Sequence, residues 1–162
     1  MILTKGSARS LFLSALVFAI CFAFAACAET QTPCSEELAA LLEETARPAG
    51  VTYICGAGEG EEEYLSPETA CALYGDGADE LLALCEDFAI FISERPNPFE
   101  AAVFRCYSAS DCDKIATALL SRIDDIRIAL RDTELVGAYD TAEVRISGRV
   151  VIMRGGVQNI SK

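Results

Sequence analysis

Hydrophobic positions change period several times along the chain, and each change predicts an element. In "PCSEELAALLEETARP", Leu38, Leu41 and Leu42 fall on one helical face. Ser35 is placed as the N-cap, Glu36 and Glu37 occupy the first turn, where the helix dipole favours acids, and Pro48 stops the helix. "VTYICGAGEGEEEY" begins with β-type residues and passes into a Gly/Glu loop. The loop lacks the spaced Asp and Asn positions of an EF-hand, so a cation site is not signalled. "LSPETACALYGDG" predicts a second short helix, capped by Ser66, with Pro67 at its first position and Gly75 at its end.

Alternation then takes over. "ADELLALCEDFAIFISERPNPFEAAVFRCY" predicts a helical turn and then a strand over 88–93, with Phe88, Ile90 and Ile92 on one side. Arg95-Pro96-Asn97-Pro98 is turn chemistry, and a second strand returns over 100–107. "SDCDKIATALLSRIDDIRIALRD" predicts the longest helix, capped by Ser110 or Asp111, with Ile115, Leu119, Ile123, Ile126 and Leu130 as its apolar stripe. Arg122, Arg127 and Arg131 are read as lying off that stripe among Asp124 and Asp125, as an ion-paired surface or an anion-binding row. "TAEVRISGRVVIMRGG" predicts a terminal hairpin. A loop of odd length that includes Arg149 would put Val144, Ile146, Val150 and Ile152 on one face.

The order α-α-β-β-α-β-β predicts an α+β fold. Its economical packing is an antiparallel sheet of two hairpins with helices on one face. Ala89, Phe91, Ala102 and Phe104, with Arg145, are expected on the other face, which becomes the candidate contact surface.

The N-terminus departs from this pattern. Lys5 and Arg9 precede an uncharged run over 11–28 that ends in small residues, the form of an export signal. Phe24-Ala25-Ala26-Cys27 has the form of a bacterial lipobox, in which cleavage precedes a cysteine that carries a diacylglycerol. Cys21, after Ile20, is a poorer second candidate. Ala26-Cys27-Ala28 is also an A-x-A site whose use would discard Cys27 and release a secreted chain. The expected organisation is a signal peptide over 1–26, a lipidated Cys27 and polar tether over 27–34, and a single domain over 35–162.

Charge and composition narrow the function. The net charge is -12, which disfavours nucleic acid as a partner. From Ala28 to Glu100 seventeen acids face two bases, whereas from Ala101 to Lys162 nine bases face eight acids. There is no histidine, so imidazole-based triads, dyads and zinc sites are excluded. The remaining catalytic candidates are a free thiol or Glu100 with Arg105, but residues five apart on a strand point to opposite sides. Glu86 and Asp87 are adjacent and diverge in the same way.

Beyond Cys27 lie Cys34, Cys55, Cys71, Cys85, Cys106 and Cys112. An even number in an exported chain makes them candidates for disulfides, with buried or free thiols as the alternative. Cys106 and Cys112 flank a strand-to-helix turn, and Cys85 and Cys106 fall on strands expected to pair. Both bridges would share Cys106, so they exclude one another. No spacing matches a redox C-x-x-C, a zinc ribbon or an iron–sulfur run, and no cofactor is called for.

Leu73-Tyr74-Gly75, Glu100, Phe104-Arg105, the helix from Asp111 and Gly148 in the last hairpin together resemble the bacterial domain-of-unknown-function 4358 family, from about Leu65 to Met153. The resemblance implies a secreted or lipid-anchored protein of a Gram-positive cell surface, and it supplies no catalytic residues. The cysteines and the Arg-Pro-Asn-Pro turn depart from that pattern. The expectation is therefore a lipid-anchored surface protein, held to the membrane through Cys27, that binds or organises a protein partner without catalysis. The alternatives are a secreted thiol/disulfide or metal-handling protein, or a small enzyme without histidine chemistry.

Overall fold

The computed structural model describes residues 31–43, 49–94 and 98–156. Cys21, Cys27, Pro48 and the turn residues 95–97 lie outside the described residues. The unit that contains the elements below begins at Pro33.

The first helix, α1, spans Cys34–Glu43. It begins one residue before the expected cap at Ser35. Glu36 N and Glu37 N donate to Pro33 O, and Asp87, from a distant strand, accepts from Cys34 N at 2.7 Å. A tertiary carboxylate thus satisfies the first amide of the helix.

Strand β1 (Gly50–Ile54) follows, then α2 (Pro67–Tyr74) and the short α3 (Ala78–Leu82). The ends of α2 match the sequence reading. Ser66 Oγ accepts from Thr69 N at 3.1 Å, Pro67 opens the helix, and Gly75 closes it at φ 80°. The remaining elements are β2 (Cys85–Ser93), β3 (Glu100–Cys106), α4 (Ala109–Leu130), β4 (Glu143–Ser147) and β5 (Val150–Gly155). Ser108, rather than Ser110 or Asp111, occupies the cap position of α4. Among the described residues no helix is long and apolar enough to cross a membrane.

The protein is α+β, with one antiparallel sheet in the order β1-β2-β3-β5-β4. Both expected hairpins are present, and β1 adds a fifth strand against β2. The β2–β3 register places Phe88 opposite Phe104 and Ile90 opposite Ala102, whereas Ala89 faces Val103 and Phe91 faces Ala101. Ala102 and Phe104 therefore share a face with Ile90, not with Ala89 and Phe91.

Helices cover both faces, not one. Ile90, Ala102, Phe104, Val151 and Met153 pack with Ile115, Leu119 and Ile123 of α4. Ala89, Phe91, Ala101 and Val103 form a separate cluster with Leu38 and Leu42 of α1. Every residue of β3 is buried as a result. The face expected to be a contact surface is occupied by α1.

The last hairpin also differs from expectation. Its turn is Gly148-Arg149, so Ser147 faces Val150, Ile146 faces Val151 and Val144 faces Met153. Gly148, at φ 60°, supplies the left-handed conformation that a two-residue turn needs at its first central position. Val144 then joins the α4 side, and Val150 and Ile152 join the α1 side. Alternation could not reveal this, because both faces of β5 are covered and both carry apolar residues.

Candidate functional site

Among the described residues, Glu100 and Arg105 are the buried charged side chains, one near each end of β3. They point to opposite faces, as their spacing requires, and each is engaged by a different helix.

On the α4 side, Glu100 receives both the Nη2 (2.5 Å) and Nε (3.3 Å) of Arg122. Burial works against the charge of Arg122, but the hydrogen bond and charge of Glu100 outweigh it and raise the guanidinium pKa. Two phenols stand in the same field. Tyr74 packs edge-on against Phe104, with centroids 6.1 Å apart. Tyr139 is buried against Gly155, where an added Cβ would lie 2.5 Å from the Tyr139 ring. Arg127 fixes the Tyr139 segment by donating to Tyr139 O at 3.0 and 3.2 Å. Burial first, and then the charge of Glu100, push both phenol pKa values above the ordinary one.

These phenols give the fold a defined alkaline response. Their folded pKa values exceed the unfolded value of about 10, so their contribution is fully present below about pH 10 and is lost as pH rises through the folded values. Urea titrations at pH 8 and pH 11 are expected to show a marked loss of stability at the higher pH. The Tyr74→Phe/Tyr139→Phe variant should lose less over that interval. An equal loss in the variant would show that the phenols do not carry the effect.

On the α1 side, Arg105 pairs with Glu37 and lies 3.7 Å from Asp87. Asp87 also accepts from Cys34 N, so one carboxylate joins the helix N-terminus to the strand cation. Glu86 diverges from Asp87 and instead meets Arg149 at 3.0 Å. Arg149 also donates to Cys106 O and Tyr107 O, which locks the last turn onto the end of β3. Both candidate catalytic pairs are thus separated by the fold, and each member is held in a structural ion pair.

All six described cysteines are free thiols. Cys34, the first residue of α1, is buried against the sheet, and burial, then the charge of Asp87, push its pKa to about 12. Cys55 is half-buried beyond β1, and burial raises its pKa. Cys71 is exposed on α2, 3.7 Å from Asp76; desolvation and then that carboxylate raise its pKa. Cys85, Cys106 and Cys112 are buried together. Burial leads the rise in the pKa of Cys85 and carries that of Cys106 to about 12. Among the described residues, no three cysteine or carboxylate groups converge in a way that could hold a metal ion, the Gly/Glu loop included.

The Arg row is mostly spent on the protein itself. Arg122 meets Glu100, and Arg127 meets Asp124 at 3.1 Å as well as Tyr139 O. Beside them lies a groove of about 450 Å³, lined in part by Asp124, Arg127, Ile128, Arg131, Val136 and Asp140. Ile128 and Val136 on its rim are 60% and 63% exposed.

Tyr74, Arg122 and Tyr139 escaped the sequence reading as partners of Glu100. One signal was available for Arg122. The series Ile115, Leu119, Arg122, Ile126 follows the same helical spacing as the apolar stripe, which puts Arg122 on the packed side. No family model, curated protein or solved structure matches this chain.

Proposed function

We propose that this chain is an exported, lipid-anchored surface module of a Gram-positive cell that binds a protein partner and performs no catalysis. One observation carries the reading. Phe24-Ala25-Ala26-Cys27 closes an uncharged apolar run behind a basic start, and the folded unit begins at Pro33, after only a short polar tether. Two or three acyl chains on such a cysteine would exceed what stable membrane anchoring requires. The resemblance to the domain-of-unknown-function 4358 family, through Leu73-Tyr74-Gly75, Glu100 and Phe104-Arg105, supports the same setting.

The non-catalytic part of the reading is supported by the engagement of Glu100 and Arg105 in separate ion pairs on opposite faces. A thiol- or metal-handling function would draw on thiols of which only Cys71 is exposed among the six described. With the second sheet face covered by α1, the contact surface moves to the groove beside the C-terminal end of α4. Exposed Ile128 and Val136 offer apolar contact there, and Arg131 adds charge.

The test is intact mass and N-terminal analysis of the full chain isolated from membranes of a Gram-positive host. A diacylglyceryl adduct on Cys27 is expected, and Cys27→Ser should abolish both the adduct and membrane retention. A free N-terminus at Glu29 would replace this reading with a secreted protein.

A further inference from the structure

Three thiols meet where β2, β3 and α4 converge. Cys85 and Cys106 are direct cross-strand partners. The adjoining pair, Leu84 and Tyr107, carries the backbone bond, with Tyr107 N donating to Leu84 O at 3.0 Å. Cys85 and Cys106 therefore occupy the non-hydrogen-bonded site of the ladder, where Cα atoms approach to about 4.5 Å and side chains lie closest. That separation lies within the range a disulfide spans, about 4.4–6.8 Å.

Cys112 approaches the same strand from the other direction. The chain turns at Tyr107-Ser108 and enters α4, whose first turns carry Cys112 back over the end of β3. Its Sγ lies 3.6 Å from Ser108 O and 3.8 Å from Gly148 O, which places it against the last hairpin. Cys106 is thus packed in one buried cluster with both Cys85 and Cys112.

We propose that Cys85, Cys106 and Cys112 form a cross-linking site in which Cys106 takes a disulfide bond with either neighbour, and the third thiol can exchange it. The oxidant is an exogenous disulfide, RS–SR. One thiolate of a pair displaces RS⁻ to give a mixed disulfide, and the second then displaces the other RS⁻. The protein S–S bond forms, the RS–SR bond is reduced to two RSH, and the two protein thiol protons end on the leaving thiolates. Exchange needs no further oxidant. The Cys112 thiolate attacks the Cys106 sulfur, the 106–112 bond forms, and the Cys85 sulfur leaves with the electron pair and takes up a proton.

The location sets when this happens. Cys106 and Cys112 are fully buried and Cys85 is 6% exposed, so oxidation occurs while the chain folds or opens locally, not on the closed surface. The raised pKa values of Cys85 and Cys106 agree, because in the closed fold both stay as thiols at neutral pH and attack slowly. The inference rests on the cross-strand register of Cys85 and Cys106 and on the burial of all three thiols in one cluster, and it does not depend on lipidation.

The test refolds the reduced full chain in detergent with oxidised glutathione, traps the remaining thiols with N-ethylmaleimide, and maps the cross-linked peptides. Wild type is expected to lose two of these three thiols per chain, always including Cys106. Cys85→Ala should give the 106–112 bridge, Cys112→Ala should give the 85–106 bridge, and Cys106→Ala should give neither. The proposal is overturned if wild type and both flanking variants keep all these thiols, or carry only glutathione adducts. It is equally overturned if Cys106 bonds mainly to Cys34, Cys55 or Cys71, or if Cys106→Ala bridges 85 to 112. The two flanking variants decide the matter even if Cys106→Ala does not fold.

Discussion

Arg122→Ala is expected to destabilise the fold by about 3–5 kcal/mol, the usual consequence of stranding a buried charge. The side chain of Glu100 is only 9% exposed, and both of its oxygens are met by Arg122. Removing the guanidinium leaves a carboxylate that water reaches poorly, in a field shared with the buried phenols Tyr74 and Tyr139. Glu100→Gln should cost less, because Arg122 is 20% exposed and can recruit water, and the amide oxygen still accepts a hydrogen bond. The joint replacement Glu100→Leu/Arg122→Met should recover most of the loss, since an ion pair in a dry site gains little over apolar groups of similar volume. Urea unfolding of the four proteins at neutral pH measures all three differences. The penalty should change little between low and high salt, because buried pairs are weakly screened. A loss for Arg122→Ala below about 1 kcal/mol would place the pair in the range of exposed ion pairs and remove it from the core.

The same cluster shows what the sequence could and could not disclose. Apolar spacing was enough for the elements whose burial is one-sided. The α4 stripe of Ile115, Leu119 and Ile123 was legible in this way, while the caps of α2 and the two hairpins were legible from their cap and turn residues. Burial on two sides removes that signal. Every position of β3 is buried, so alternation in "EAAVFRC" carries no information about face. An irregularity between Cys85 and Asp87 shifts the register of β2 by one residue, and a one-residue shift exchanges the faces. Val51 through Ile54 gave a β signal, yet its partner in β2 lies more than thirty residues away, and no local feature reports that pairing. The engagement of Glu100 was hidden for the same reason. The sequence shows an acid opening an apolar strand, but the cation that answers it sits 22 residues later on a helix. The meeting of Cys85 with Cys106 was foreseeable from the hairpin. That Cys112 joins them depended on the way α4 turns back over the sheet.

The second large effect concerns the helix that overturned the expected contact surface. Leu38→Ala is expected to cost about 2–5 kcal/mol, the range for emptying a fully buried leucine site. Leu38 is 1% exposed and, with Cys34 and Leu42, presents one narrow face of α1 to Ala89, Phe91, Ala101 and Val103. A helix of ten residues is marginal alone in water, so this contact, and not intrinsic propensity, must hold it. Its polar fastenings are the Asp87 carboxylate on Cys34 N and the Arg105–Glu37 pair, both at the N-terminal end. Weakening the apolar side should therefore loosen α1 before the sheet melts. Limited proteolysis should cut within 34–43 at lower denaturant than the global transition, and binding of a hydrophobic dye should rise as Phe91 and Val103 become wetted. If Leu38→Ala costs less than about 1 kcal/mol and leaves protease resistance unchanged, α1 is not a structural cover. The second face of the sheet would then become a surface that a partner could take.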